Sequence, residues 1–263
     1  MNLSSLRAET AMGPPAPHAG TGGEAVPISG RAPAPRLSVI IPVAPGDMAE
    51  VPSLLRQLAA LPEVAEVLVC RADGATGPDA ACIAGMPQPV VDVVSLQGRA
   101  RQLNAGAGRA GGEWLWFLHA DTTLSPAVRP ALHAFLERGT DALGYFDLAF
   151  RPDGPWLAVL NAWGANLRSR LLGLPFGDQG LVVRKARWQA LGGFDEAAAY
   201  GEDHLLVWAA HAAGLPLQRI PARLLTSARK YRRHGWLHTT LAHWRLTVKQ
   251  AWPAWRQLRG RRR

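Results

Sequence analysis

Four groups of residues in this 263-residue chain have the types and spacing to do chemistry. The first is Trp114-Leu115-Trp116-Phe117-Leu118, an unbroken apolar run that ends in His119-Ala120-Asp121. The second is the turn Arg71-Ala72-Asp73-Gly74, which follows another apolar run. A carboxylate just beyond the carboxyl end of a parallel strand stands where open α/β sheets bind their ligands. The third is Gly98 to Gly108, where Arg99 and Arg101 open a predicted helix that includes Asn104. Helix N-terminal amides with arginine beside them bind phosphate well. The fourth is Gly201-Glu202-Asp203, a carboxylate pair at the start of an apolar helical stretch, where the helix dipole favours negative charge. Each has a plainer use. Asp121 can cap a following helix, as Thr122, Thr123 and Ser125 can. The arginines can be solvated on a surface helix, and Asp203 can be a simple N-terminal charge. The glycines of the third group lack the G-x-G-x-x-G spacing of a dinucleotide site.

The elements that would position these groups can be read from apolar pattern. Leu37 to Val43 is a β-branched strand with Pro42 near its end. Pro52 to Leu61 reads as a helix, with Leu54, Leu55, Leu58 and Leu61 on one face. Ala65 to Cys70 and Val90 to Val94 read as further strands. The alternation of strand and helix predicts a mostly parallel sheet with right-handed crossovers, which brings Asp73 and Asp121 to one edge. Asp178 and Gln179 fall just before the predicted strand Leu181-Val182-Val183.

Composition narrows the class. Apolar content of 48% supports a substantial core, and no segment reaches the roughly 18 uncharged apolar residues of a membrane span. Two cysteines make neither a disulfide framework nor a zinc site, and Cys70 reads as a small buried residue. A reducing, cytoplasmic setting is the simpler expectation. Residues 1–35 are rich in Pro, Gly and Ala and read as a disordered leader. Of the chain's 29 basic residues, thirteen lie between Arg219 and Arg263 with no acid among them, leaving 16 basic against 20 acidic elsewhere. The segment 231–263 reads as a basic, Trp-rich helical tail in which Leu237, Leu241, Trp244 and Val248 share a face. Such a tail can make peripheral contact with an anionic membrane, or pack on the main domain. Charge gathered after the other motifs, rather than patterned over a surface, argues against nucleic acid as a partner. Trp156, Trp163 and Trp188 could stack on a ligand, although burial is the expected use of each.

Taken together, Ser38-Val39-Ile40-Ile41-Pro42, the Asp73-Gly74 turn, Gly98 to Gly106 and Phe117-Leu118-His119-Ala120-Asp121 resemble the nucleotide-binding half of family 2 glycosyltransferases, which have the GT-A fold. Gly177-Asp178-Gln179-Gly180, Leu191-Gly192-Gly193-Phe194-Asp195 and Gly201-Glu202-Asp203 resemble its acceptor side, so the likeness spans about residues 36–230. The Gly-Asp-Gln motif, His119 and Thr226-Ser227-Ala228-Arg229 resemble a bacterial subgroup labelled as associated with radical-SAM or selenium proteins. The resemblance implies a hexosyltransferase using a nucleoside diphosphate sugar donor, with an acceptor it does not name. It places Pro42 and Asp73 at the base and ribose, Arg99 and Arg101 at the phosphates, and Asn104 and His119 also on the donor side. Asp121 would be a ligand to Mg²⁺ or Mn²⁺, Asp203 the general base with Glu202 beside it, and Asp178 and Gln179 would approach the donor sugar or acceptor. Asp203 is expected on the acceptor side, apart from Arg99, Arg101 and Asp121. Two positions depart from the family pattern. Pro45-Gly46-Asp47 stands where Asn-Glu is usual, and His119 replaces the first Asp of the metal motif. A neutral imidazole is a poor ligand for a hard cation, so His119 is expected to bond the sugar or ribose, or to be structural. Two other readings share the fold. A nucleotidyltransferase would need a Gly-rich loop with lysine after the first strand, which Ala44-Pro45-Gly46-Asp47 does not offer. A protein that binds the nucleotide sugar without turnover is the other.

Overall fold

The computed structural model describes residues 36–238, 240 and 245. The leader expected at 1–35 and most of the tail expected at 231–263, with Leu241, Trp244 and Val248, lie outside the described residues. In chain order the elements are β1 (Leu37–Val43), α1 (Val51–Leu58), β2 (Val64–Ala72), α2 (Ala80–Ala84), β3 (Val90–Ser95), α3 (Arg99–Arg109), β4 (Trp114–Phe117) and β5 (Thr123–Leu124). Then follow α4 (Val128–Arg138), β6 (Leu143–Phe150), α5 (Ala158–Leu172), β7 (Val182–Arg184), α6 (Lys185–Ala190), α7 (Glu202–Ala212), β8 (Leu217–Thr226) and α8 (Arg229–His234).

The strands form one sheet in the order β3-β2-β1-β4-β7-β6-β8-β5. Neighbours β3, β2, β1 and β4 are parallel, as are β6 and β8, while β7 and β5 run against their neighbours. The expected mostly parallel α/β sheet is therefore present. The chain goes from β1 outward to β3 and returns to the other side of β1 as β4, which makes the β1–β4 boundary a topological switch point.

β4 shows why its sequence is apolar throughout. Trp114 and Trp116 belong to a core beneath α1 and α4, and Leu115 and Phe117 to a second core against α3 and α7. A strand covered on both faces has no polar side to alternate with. α3 lies close to the sheet because Gly106 has no side chain: a Cβ there would stand 2.5 Å from Cys70 Sγ and 2.7 Å from Ile40 Cγ2. Gln102 then ties the first turn of α3 to the sheet edge, donating to the carbonyls of Val43 (2.9 Å) and Cys70 (3.1 Å). Cys70 is fully buried, and burial, then the charge of Asp92, pushes its thiol up to about 12. That fits the structural role read for it.

Three expectations need correction. The helix read as Pro52–Leu61 ends at Leu58, and Ala59 to Leu61 turn instead. Asp121 caps no helix, because the short β5 follows it and pairs with β8. Trp188 is buried as expected, but Trp156 and Trp163 are largely exposed.

Candidate active site

A crevice of about 240 Å³ opens at the switch point. Pro42, Ala44 and Asp47 line it from the end of β1, Arg99 and Gln102 from the start of α3, and His119, Ala120 and Asp121 from the segment after β4. The carboxylate of Asp121 is fixed through one oxygen. Oδ2 accepts from Thr226 Oγ1 (3.0 Å) and from the Ser227 amide (3.1 Å) at the end of β8. Both bonds fall on Oδ2 and leave Oδ1 without a protein hydrogen bond among the described residues. Asp47 was not singled out from sequence, yet it shares this crevice. Burial, then the charge of Asp121, raises its carboxyl above the ordinary value, against a smaller opposing effect of Arg229.

This pair fits a divalent cation. Mg²⁺ and Mn²⁺ bound with nucleotides take one or two carboxylates and complete their shell with water and phosphate oxygens. Two carboxylates whose charges oppose each other in one crevice are such a donor set. Among the described residues no three His, Cys, Asp or Glu side chains form a cage of their own.

Arg99 joins this crevice to the start of α7. Its Nη1 donates to Glu202 Oε1 at 2.8 Å, and its Nη2 contacts His119 Nε2. Burial, then the neighbouring Arg99 charge, holds His119 well below its ordinary value, so it is neutral here. Its Nε2 can then accept from Arg99. Asp203 is the second residue of α7. Its Oδ2 accepts from the Gly177 amide, and its Oδ1 from the His204 amide at 2.9 Å. Burial alone would raise the Asp203 carboxyl, but Arg99, the Gly177 amide and His204 together hold it below the ordinary value. It is an anion at neutral pH. The expected separation of Asp203 from Arg99 is thus corrected: Arg99 is shared between the crevice of Asp121 and the Glu202–Asp203 pair.

Asp178 and Gln179 lie in a 3₁₀ turn, Gly177–Gln179, against the same group. Asp178 Oδ1 is buried without a hydrogen-bond partner, and burial raises its carboxyl more than Lys230 and Arg168 lower it. Arg168, from α5, stacks on the Phe176 ring at 3.4 Å, donates to the Leu174 carbonyl, and keeps Nη2 buried and unpartnered. Unpaired buried polar atoms are costly, and two in one place mark a polar subsite. Sequence gave no sign of Arg168, which sits inside an apolar helix.

The other expected residues are placed differently. Gln179 is 0% exposed, so no atom of it is open to a ligand; it accepts from Ser169 Oγ and the Phe176 amide and donates to the Phe146 carbonyl. Asn104 faces away from the crevice and clamps the loop before α7 through the Phe194 amide, the Phe194 carbonyl and Glu196. These two calls are corrected: both side chains brace the site from behind. Asp73 is exposed at the end of β2, where its Oδ1 accepts from the Gly74 amide. Arg101 is 45% exposed, 3.8 Å from Glu196. Both stand on the correct edge of the sheet without lining the crevice.

Residues 52–182 match the family model described as Glycosyl transferase family 2, a span that holds Asp73, Arg99 and Asp121 and ends before Glu202 and Asp203. No curated protein matches the chain. Among solved structures, it is similar to the mannosyltransferase PcManGT from Pyrobaculum calidifontis in complex with GDP-Man and Mn²⁺, with 18% identity and a TM-score of 0.56 over 72% of this chain and 56% of that one. It is also similar to residues 1–349 of S. aureus TarS in complex with UDP, with 16% identity and a TM-score of 0.53 over 73% and 60% of the two chains. The UDP-GlcNAc complex of that protein gives 16% and 0.52 over 73% and 58%. The chain spans less than two thirds of the length of each of these structures. This chain thus has a GT-A fold, and residues 52–182 of it match the glycosyl transferase family 2 model.

Proposed function

We propose that the protein is an inverting glycosyltransferase that moves a sugar from a nucleoside diphosphate sugar to an acceptor hydroxyl, with Asp203 as general base. One observation carries this reading: Arg99, bonded to Glu202, links the Asp121–Asp47 crevice to the half-buried carboxylate of Asp203 beside it, so a diphosphate and a base can meet across one sugar. The similar structures were solved with GDP-Man and Mn²⁺, and with UDP-GlcNAc, which supports donors of this class, a hexose among them. The subgroup reading rests on Gly177-Asp178-Gln179, His119 and Thr226-Ser227, the last of which anchors Asp121.

Sugar transfer builds charge on the leaving diphosphate while the acceptor hydroxyl loses a proton. Pro42 and the end of β1 would form a floor for the nucleotide, and Asp73, on the same edge of the sheet, is assigned to its ribose from the resemblance. A divalent cation held by Asp121 and Asp47 would neutralise charge developing on the diphosphate. Arg99 adds a fixed positive charge there. His119, neutral, holds Arg99 without competing for the cation. On the other side of the sugar, Asp203 is ionised and takes the acceptor proton as the new bond forms, which inverts the anomeric centre. Glu202 is occupied by Arg99 and orients it. Asp178 and Arg168 offer the acceptor an oxygen and an N–H that the protein itself does not pair.

A thermal-shift screen of UDP-, GDP-, dTDP- and CMP-sugars, each with and without Mn²⁺, tests the donor side, because a ligand bound only to the folded state raises the melting temperature. A rise with at least one donor that depends on the metal supports the reading. No rise with any donor contradicts it. Binding without release of nucleoside diphosphate would favour a non-catalytic sugar-nucleotide binder.

A further inference from the structure

The exposed tryptophans belong to a surface that the site does not use. One edge of α5 is buried through Ala158, Ala162 and Ser169. The opposite edge is apolar as well. Val159, Leu160, Trp163, Leu167 and Leu171 recur at three- and four-residue spacing, which keeps them on one side of the helix. They are 38 to 72% exposed, and Trp156 just before the helix is 79% exposed. Single apolar residues on a surface are ordinary, but a contiguous set of this kind marks an interaction site. A helix apolar on both sides is normally covered on both sides. α5 has no acidic residue; its Arg168 is turned onto Phe176 and its Arg170 is paired with Asp147, so the positive charge beside this face comes from the stretch after β8. Beyond Asp203 the chain has thirteen Lys and Arg and no Asp or Glu.

We propose that this face of α5 docks on an anionic lipid surface, with the helix lying in the plane of the headgroups. Its chemistry fits that partner. Tryptophan prefers the boundary between acyl chains and water, and an amphipathic helix held there presents leucines inward and basic residues to the headgroups. At about 1.5 Å per residue, α5 is about 22 Å long, too short to cross a bilayer core of about 30 Å. Among the described residues no helix is long and apolar enough to cross a membrane. Charge favours lipid over the protein alternatives. A second copy would set one basic segment against another, since Ala158 of α5 packs on Ala228 and Tyr231 at the head of the basic stretch that follows β8. Residues 241–263 would bring seven more basic residues and no acid. Anionic lipid supplies the apolar interior and the missing negative charge together.

The test is flotation of the full-length protein with phosphatidylcholine vesicles and with vesicles that also contain phosphatidylglycerol, at low and high salt. Brominated acyl chains report tryptophan depth through quenching. The expected result is binding to the anionic vesicles, weakened by salt, with quenching. Trp163→Glu with Leu167→Glu should weaken binding by about tenfold or more while circular dichroism and oligomeric state stay unchanged. Trp163→Ser, a milder change at the same exposed place, should weaken it in the same direction and keeps the test readable if the double variant folds poorly. Equal binding by these variants, or no binding by the parent at any composition, overturns the proposal. So does a dimer that the variants split, which would make a second copy the cover. A large drop in melting temperature with Trp163→Ser would make the chain itself the cover, and overturns it too.

Discussion

Gly177→Ala perturbs the site with one methyl group. A Cβ at Gly177 would stand 2.7 Å from Arg99 Nη2, 2.7 Å from Asp203 Oδ2 and 3.2 Å from His119 Nε2. Contact distances begin near 3.5 Å, so the overlap with the two charged groups is roughly 0.8 Å. Gly177 does not have a positive φ, so the backbone accepts alanine and the effect comes from the methyl. Arg99 is long and can swing aside. Asp203 is short, and its Oδ2 is bonded to the Gly177 amide itself, so the carboxylate or the turn must move. That charge-assisted bond is worth about 1.5–3 kcal/mol in full, and partial loss should cost about 1–2 kcal/mol of stability. For a protein of this size the melting temperature then falls by roughly 2–8 °C. The rate should fall further. Misplacing a reacting group by about 1 Å costs on the order of 10²-fold. The assay is release of nucleoside diphosphate from the donor, with water in place of the acceptor. It carries a second signature. Without the full Gly177 bond, Asp203 loses one interaction that keeps its carboxyl low. Its ionisation moves up, and the acid limb of the pH–rate profile moves to higher pH. A Gly177→Ala protein with the parent rate and profile would refute the close packing of Gly177 on a reacting carboxylate.

Three further outcomes follow from particular contacts. Asp121→Asn should keep the fold but abolish the gain in donor affinity that Mn²⁺ gives, read by calorimetry with and without metal; equal metal dependence would remove Asp121 from the cation site. Gln179→Leu should lower stability by about 2–4 kcal/mol in denaturant titration, because it leaves the Phe176 amide and the Phe146 carbonyl without this partner, while the Ser169 hydroxyl can still donate to the Ala165 carbonyl. Asp147 is buried, which alone would raise its carboxyl, yet bonds from Arg219 (3.0 Å) and Arg170 (2.9 Å) hold it below its ordinary value of 3.8. A carboxyl depressed in the folded state stabilises fully above the unfolded value and loses that effect as pH falls through the folded one. Asp147→Asn should therefore cost about 1–3 kcal/mol at pH 7, and the gap from the parent should close below about pH 4; a gap that does not change with pH would assign the loss to packing.

What could be read from the chain itself was local. β1, β2 and β3 showed as apolar runs, and β4 showed its burial on both faces because no polar residue interrupts it. The strand-end places of Asp73 and Asp121 followed from those runs and one topological rule. The pairing of Arg99 with Glu202 did not, since it joins residues 103 positions apart and depends on how α3 and α7 meet over the sheet. Gln179 and Asn104 were misread for a related reason: an amide in a motif has the same letter whether it faces a ligand or braces a loop. Asp47 was passed over because the pattern around it departs from its relatives, although the carboxylate ends in the same crevice. α5 was not read from the sequence, since its polar residues Asn161, Asn166, Arg168 and Arg170 are interspersed among apolar ones and mark no clean outer face. Arg168 was hidden inside it.

The most direct test of the account is a pair of measurements on Asp203→Asn: donor affinity by calorimetry, and the rate of nucleoside diphosphate release in a single turnover. The change keeps the shape of the side chain and removes its basicity. Since Arg99 lies between this carboxylate and the donor crevice, loss of the negative charge should leave donor affinity unchanged or slightly tighter. The account predicts that result together with a rate lower by about 10² to 10⁴. Loss of donor binding would place Asp203 in the nucleotide site instead, and an unchanged rate at unchanged affinity would contradict its role as the base.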